Sequence, residues 1–223
     1  MRAPPLDALT AEITSCRRCP RLVAWREQVA RQRRAAFADQ EYWGRPVPGF
    51  GDPGARIVFV GLAPAAHGGN RTGRVFTGDR SGDWLFAALW RAGLANQPTS
   101  VSMDDGLELH GAYVLAAVRC APPQNKPTPA ERDRCRPFLE RELALLTELR
   151  VVVALGSFAY QVVAEVLGLR PRPRFGHGVV GTLPGGRSVV CSYHPSQQNT
   201  NTRKLTEPML DAVMHSARTL AGL

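Results

Sequence analysis

Cys16 and Cys19 form a Cys-x-x-Cys turn, and Cys120 and Cys135 make a second, widely spaced pair. Two thiols on one tight turn can grip a single ion or cluster, and the second pair can close the site from elsewhere in the fold. Four thiolates suit either a [4Fe-4S] cluster or a tetrahedral zinc. A zinc ribbon usually repeats the tight spacing, so the wide second pair favours the cluster. Four unrelated buried thiols are the plain alternative. Cys191 sits within an apolar run and reads as core.

Two polar segments offer further chemistry. The first runs from Gly61 to Asp83 and carries glycines at 68, 69, 73, 78 and 82. Such a backbone can pass close to a ligand, and a helix starting near Ser81 points its amide donors at that ligand. The segment lacks the Lys-Ser/Thr ending of a triphosphate-binding loop. Phe76 is either a stacking platform for a base or an anchor into the core. Asp79 is the first carboxylate downstream of Gly61, with the charge to activate water or to cap the following helix. The second segment is His194-Pro195-Ser196 with Asn199. Its histidine can donate to developing negative charge, and the small polar residues behind it suit a backbone phosphate, unless the segment is a simple turn after an edge strand.

Elements that position these residues follow from the apolar pattern. Short apolar runs at Ile57–Val60, Tyr113–Val118, Val151–Leu155 and Ser188–Tyr193 read as strands. Helical patterns separate them at Ser81–Ala92, from a Thr128-Pro129-Ala130-Glu131 start, and at Phe158–Leu167, with a last helix at Glu207–Leu220 capped by Thr206. Two helical pieces broken at Pro20 cover Leu6 to Arg34. Strands apolar throughout and alternating with helices predict an α/β fold with a parallel sheet covered on both faces. Ligands of such sheets bind beyond the carboxyl ends of the strands, which here lead into the 61–70 loop, the Arg119–Asn125 loop, Gly156-Ser157 and the His194–Asn199 loop. The polar segments are therefore expected to converge.

Composition bounds the reading. A chain of 223 residues with 44% hydrophobic residues can bury a core without disulfide staples, and it reads as one domain over residues 1–223. No apolar stretch approaches the roughly 20 residues of a membrane-spanning helix, and the N-terminus lacks a signal-peptide pattern. The expected location is the cytoplasm, where five cysteines are ligands, catalytic groups or core rather than disulfides. An excess of 28 Lys and Arg over 19 Asp and Glu, net +9, favours a polyanionic partner.

Taken together, the motifs resemble the iron–sulfur uracil-DNA glycosylases of the family 5 type. The resemblance rests on Gly61-Leu62-Ala63-Pro64-Ala65, Asn70-Arg71-Thr72-Gly73-Arg74, Phe76-Thr77-Gly78-Asp79, Arg119-Cys120-Ala121-Pro122-Pro123, His194-Pro195-Ser196 with Asn199-Thr200, and the four cysteines; it spans residues 12 to 220. Arg203 departs from it, standing where a glycine is expected. The resemblance implies a three-layer α/β/α fold on a four-stranded parallel sheet. It implies base excision from double-stranded DNA by a monomer associated with the nucleoid through DNA, on uracil and other deaminated or damaged bases. Cys16, Cys19, Cys120 and Cys135 would hold a structural [4Fe-4S] cluster. Asp79, Asn125 and His194 would line the reaction site, Phe76 would stack on the flipped base, and Gly61, Ala63, Pro64, Ala65, His67, Asn70, Ser196 and Asn199 would meet the base or the DNA. The alternative expectation is a non-enzymatic iron–sulfur DNA sensor, which needs the cysteines and basic surface but not the polar quartet.

Overall fold

A computed structural model describes residues 4–223. Helices α1 (Pro4–Ser15) and α2 (Pro20–Gln32) flank the Cys16–Cys19 turn, with Pro20 in the first turn of α2, where its missing N–H costs nothing. Then come β1 (Phe50–Gly51), β2 (Ile57–Gly61), α3 (Gly69–Thr72), α4 (Arg80–Arg91), β3 (Ala112–Ala116), α5 (Pro129–Leu145), β4 (Val151–Leu155) and α6 (Ser157–Val166). The chain closes with β5 (Val180–Thr182), β6 (Ser188–Ser192), α7 (Gln197–Asn201) and α8 (Glu207–Ala221). The starts of α5 and α8 are capped as the sequence predicts. Thr128 Oγ1 accepts from Glu131 N at 3.2 Å and Glu131 Oε2 from Thr128 N at 2.8 Å, while Thr206 Oγ1 accepts from Met209 N.

The sheet order is β1-β3-β2-β4-β6-β5. Its four central strands are mutually parallel and are the four expected from sequence, with Ile57 opposite Ala112 and Val151, and Val151 opposite Ser188. The expectation of a four-stranded sheet needs correction to six, because β1 and β5 add antiparallel edges. These strands are two and three residues long and rich in glycine, too short to print a period of two.

Alternation along β2 divides the core. Ile57 and Phe59 pack with Leu85, Phe86 and Leu89 of α4 and Leu210 and Val213 of α8, while Val58 and Val60 pack with Leu139 and Leu143 of α5 and Val162 and Val163 of α6. Both faces of the sheet are thus covered, as uninterrupted apolar strands require. No described helix is long and apolar enough to cross a membrane.

A buried ion pair fixes the exit of β3. Arg119 Nη2 lies 2.5 Å from Glu142 Oε2 of α5, each side chain 1% exposed, and Glu142 Oε1 accepts from Tyr113 Oη at 2.7 Å and from Gly49 N at 3.1 Å. The Arg119 carbonyl accepts from Val47 N at 2.7 Å. One carboxylate therefore ties α5 to β3 and to the segment entering β1. Glu142→Ala should lower unfolding free energy by about 3–5 kcal/mol, because it strands a buried guanidinium that cannot shed its charge. Urea unfolding followed by circular dichroism checks this.

Candidate active site

All four parallel strands release the chain at one edge of the sheet, and a cavity of about 230 Å3 opens there. Leu62, Ala63, Ala65, Phe76, Asp79, Ser81, Asn125, His194 and Ser196 line it. Three separate loops, leaving β2, β3 and β6, supply this lining, so residues far apart in sequence meet where an open α/β sheet binds its ligands.

Phe76 occupies the left-handed region at φ 53°. Its ring lies where a Cβ on Gly61 would stand, 2.6 Å from the nearest ring carbon, and its carbonyl oxygen would be 1.8 Å from a Cβ on Gly82. Only glycine fits at either place. Phe76 is 8% exposed and belongs to the core beside Phe59 and Leu85, yet its ring also lines the cavity, with its centroid 5.7 Å from that of His194 and the planes 30° apart. The two readings of Phe76 are compatible: the anchored ring presents one side to the cavity.

Asp79 is the N-cap of α4. Its Oδ1 accepts from Ser81 N at 3.0 Å and from Gly82 N at 3.1 Å. Burial raises its pKa, opposed by those two amides, with Asp83 adding to the rise and Arg71 opposing it. The other oxygen, Oδ2, would be 2.1 Å from a Cβ on Gly68, so the absence of a side chain at 68 leaves its place free. Asn125 is exposed and sits at φ 55° directly after Gln124 at φ 54°, a pair of left-handed residues that turns the loop after β3 toward the cavity. Asparagine tolerates this conformation better than most residues. His194 has its pKa lowered to about 4 by burial, so its ring is neutral at pH 7. A neutral imidazole keeps one N–H to donate and no charge.

Several expected contacts lie behind this lining. Asn199 Nδ2 donates to the His194 carbonyl at 2.9 Å and Ser196 Oγ accepts from Asn199 N, so α7 holds the histidine loop in shape. Pro64 and Gly61 are buried, the latter under Phe76. His67 Nδ1 meets Tyr42 Oη at 3.0 Å. Asn70, expected to meet base or DNA, lies inside the loop. Its side chain is 0% exposed and donates from Nδ2 to the Arg26 carbonyl at 3.2 Å, which makes it a brace of the loop. Arg71 and Arg74 of the same segment are also buried. Arg71 donates to the carbonyls of His67 and Gly78 and to Gln40, and Arg74 to Thr77, Ser100 and Asp105. Leu62, between Gly61 and Ala63 at the strand end, lines the cavity although it is not among the expected site residues, and Ser81, expected only as the helix start, lines it too.

The four expected thiols also come together. Cys16, Cys19, Cys120 and Cys135 line one mostly apolar cavity with Leu22, Val118 and Phe138. Nitrogen donors meet three of the sulfurs: Arg18 Nε to Cys16 at 3.4 Å, Arg26 Nη1 to Cys120 at 2.9 Å and Arg119 N to Cys135 at 3.3 Å. Burial pushes the Cys120 thiol up to about 12, against the pull of Arg26, and raises those of Cys19 and Cys135. Thiols so buried give up their protons to a metal rather than to water. Among the described residues no three His, Cys, Asp or Glu side chains converge on a point where one metal ion would sit. An iron–sulfur cluster spreads its ligands over several irons and does not require that convergence. Cys191 is 1% exposed inside β6, apart from this set.

Comparison with known proteins agrees with the motifs. The sequence model of the Uracil DNA glycosylase superfamily matches residues 48–218. Proteins named type-5 uracil-DNA glycosylase are 57% identical over 218 residues in Mycobacterium tuberculosis, covering 96% of this chain and 81% of that one. The Mycobacterium leprae protein of that name is 55% identical, covering 98% and 96%, and the Thermus thermophilus one 54%, covering 97% and 99%. The chain belongs to the type-5 branch of the uracil-DNA glycosylase superfamily. For a member of that superfamily, the cavity at the strand ends is the place to look for the reacting base.

Burial of His194 carries a testable consequence. Its folded pKa of about 4 lies below the ordinary value of 6.5, so at intermediate pH the unfolded chain binds the extra proton and stability falls as pH falls. The parent should lose melting temperature between pH 6.5 and 4, and His194→Gln should lose less over that window. Thermal melts at half-unit pH steps measure the difference.

Proposed function

We propose that the chain is a monofunctional DNA glycosylase of base excision repair. It hydrolyses the N-glycosidic bond of uracil, and of other deaminated or damaged bases, in double-stranded DNA. The observation that carries this reading is the convergence of Phe76, Asp79, Asn125 and His194 on one cavity. A base inside a duplex is out of reach, so it must be extruded into such a pocket, where an aromatic face can stack on it and polar groups read its edge.

Bond cleavage leaves a cation-like sugar and an anionic base. The Asp79 carboxylate stabilises the first and orients the attacking water, whose oxygen becomes the new substituent on the sugar carbon while its proton is released. The neutral His194 donates a hydrogen bond to the departing base, and Asn125 reads the base edge. Basic surface holds the DNA phosphates, so affinity falls with salt. The protein acts as a monomer and as one domain over 1–223, in the cytoplasm at the nucleoid. A non-enzymatic sensor would use the thiols and the basic surface but leaves the polar convergence without a purpose.

Cys16, Cys19, Cys120 and Cys135 are the residues that would hold a [4Fe-4S] cluster. The cluster would crosslink the α1–α2 turn, the exit of β3 and α5, a structural task that needs no redox step in the hydrolysis. Protein purified without oxygen should carry about four irons per chain and absorb broadly near 400 nm, and Cys120→Ser should lose iron and melt at lower temperature. Colourless protein with one zinc per chain would refute the cluster and leave the glycosylase reading intact.

The reaction is tested with duplex oligonucleotides bearing uracil, hypoxanthine or ethenocytosine, scored for alkali-labile sites. Asp79→Asn keeps the shape and one acceptor oxygen of the cap but removes the charge. It should lose at least about 100-fold in single-turnover rate, the scale of a lost transition-state contact, while binding uracil-containing duplex with nearly the parent's affinity. Asp83 is exposed in the first turn of α4, and Asp83→Asn should change the rate little. Parent-like excision by Asp79→Asn would remove the carboxylate from the mechanism.

A further inference from the structure

Two guanidinium groups are buried beside the thiol cavity, and their charges are balanced differently. Arg119 is paired with Glu142. Arg26, 2% exposed on α2, has only a long ion pair: Glu27 Oε1 stands 3.9 Å from Nη2 and makes its closer contact with Arg17. Instead Nη1 donates to Cys120 Sγ at 2.9 Å and Nη2 to the Cys16 carbonyl at 3.2 Å, while Nε is buried without a hydrogen-bond partner.

An arginine side chain stays charged inside a protein, and burying that charge beside neutral groups is strongly unfavourable. Glu27 at 3.9 Å offsets that charge only from a distance, and the side-chain atom in contact with the guanidinium is a cysteine sulfur. The remaining charges near the cavity do not serve. Arg18 and Arg134 are themselves cations, and Glu131, the carboxylate that lines the cavity, is committed to Arg21 at 2.6 Å.

We propose that Arg26 is a positioning residue whose buried charge and hydrogen bond to Cys120 Sγ balance the four-cysteine cluster site and raise the reduction potential of the cluster bound there. The inference rests on the cluster reading above. A fixed positive charge and a hydrogen bond to a ligand sulfur both favour the more negative, reduced state of an iron–sulfur centre.

The test uses anaerobically prepared holoprotein, with Arg26→Gln, Arg26→Lys and Arg31→Gln, the last an exposed cation on the same helix. Iron per chain is measured first, then the midpoint potential by redox titration of the absorption near 400 nm. Arg26→Gln should shift the redox equilibrium at least tenfold toward the oxidised form, a fall of 59 mV for a one-electron couple. Arg26→Lys should recover more than half of that, and Arg31→Gln should match the parent. If Arg26→Gln fails to retain iron, retention by Arg26→Lys supports the charge assignment, and equal loss by both overturns it in favour of packing. A parent-like potential in Arg26→Gln, or equal shifts in both Arg26 variants, overturns the inference while the cluster stands. A parent chain without iron overturns the cluster reading and this inference with it.

Discussion

The contact on which the cavity depends is that of Phe76 with two glycines. Its ring rests on Gly61 at the end of β2, and its carbonyl rests on Gly82 in the first turn of α4. A single residue thus sets the distance between the central strand and the helix that follows. Because that backbone is left-handed at 76, the chain reverses sharply there and delivers Asp79 to the helix start. A methyl group at 82 would meet a carbonyl oxygen at 1.8 Å, a clash with backbone that no rotamer change relieves.

Around that contact the loop is braced from inside. Arg71 spans from the His67 carbonyl to the Gly78 carbonyl and stacks over Phe37 at 4.0 Å. Arg74 reaches Ser100 and Asp105 and lies over Phe50 at 4.8 Å. Both cations are spent on partners within the fold. The same loop touches the thiol region through Asn70 and the Arg26 carbonyl, and its outer edge pairs with Trp43 N and Gly44 N through the carbonyls of Arg71 and Asn70. In the proposed enzyme, holding the thiol region together also holds the wall of the base cavity, which gives a structural cluster a use in a hydrolytic reaction.

How much of this was legible in the sequence depended on whether the signal was local. The parallel strands were apolar through their length, and the Thr128 capping box is a pattern of four residues, so both could be read directly. The edge strands were not, since pairing rather than composition makes Phe50–Gly51 a strand. Asp79 and Phe76 each had a structural and a functional reading; in the fold Asp79 caps α4 and Phe76 packs in the core, and both also line the cavity, so the structural role does not displace the proposed one. Asn70 lies in α3 with Gly69 and Arg71 buried beside it and its own side chain turned to the Arg26 carbonyl, an inward orientation that no composition records. Arg203, the departure from the expected glycine, sits at φ 56°, so the loop keeps the left-handed conformation with a residue that adopts it at some cost.

Electrostatics sets the last condition on the site. Burial pushes both titratable members toward neutrality, lowering the pKa of His194 and raising that of Asp79. For the histidine this is what the proposed reaction wants, a donor without charge. For the aspartate it is a threat, because a protonated Asp79 could not stabilise a cationic sugar, and a bound DNA strand brings phosphates that disfavour a further negative charge. The amides of Ser81 and Gly82 oppose this, and the first turn of α4 adds the positive end of a helix dipole. Placing the carboxylate at an N-cap therefore does more than start a helix. It sets two amides and a helix dipole against the burial that raises the pKa of this acid, without a partner cation in contact that would compensate the charge the proposed reaction needs free.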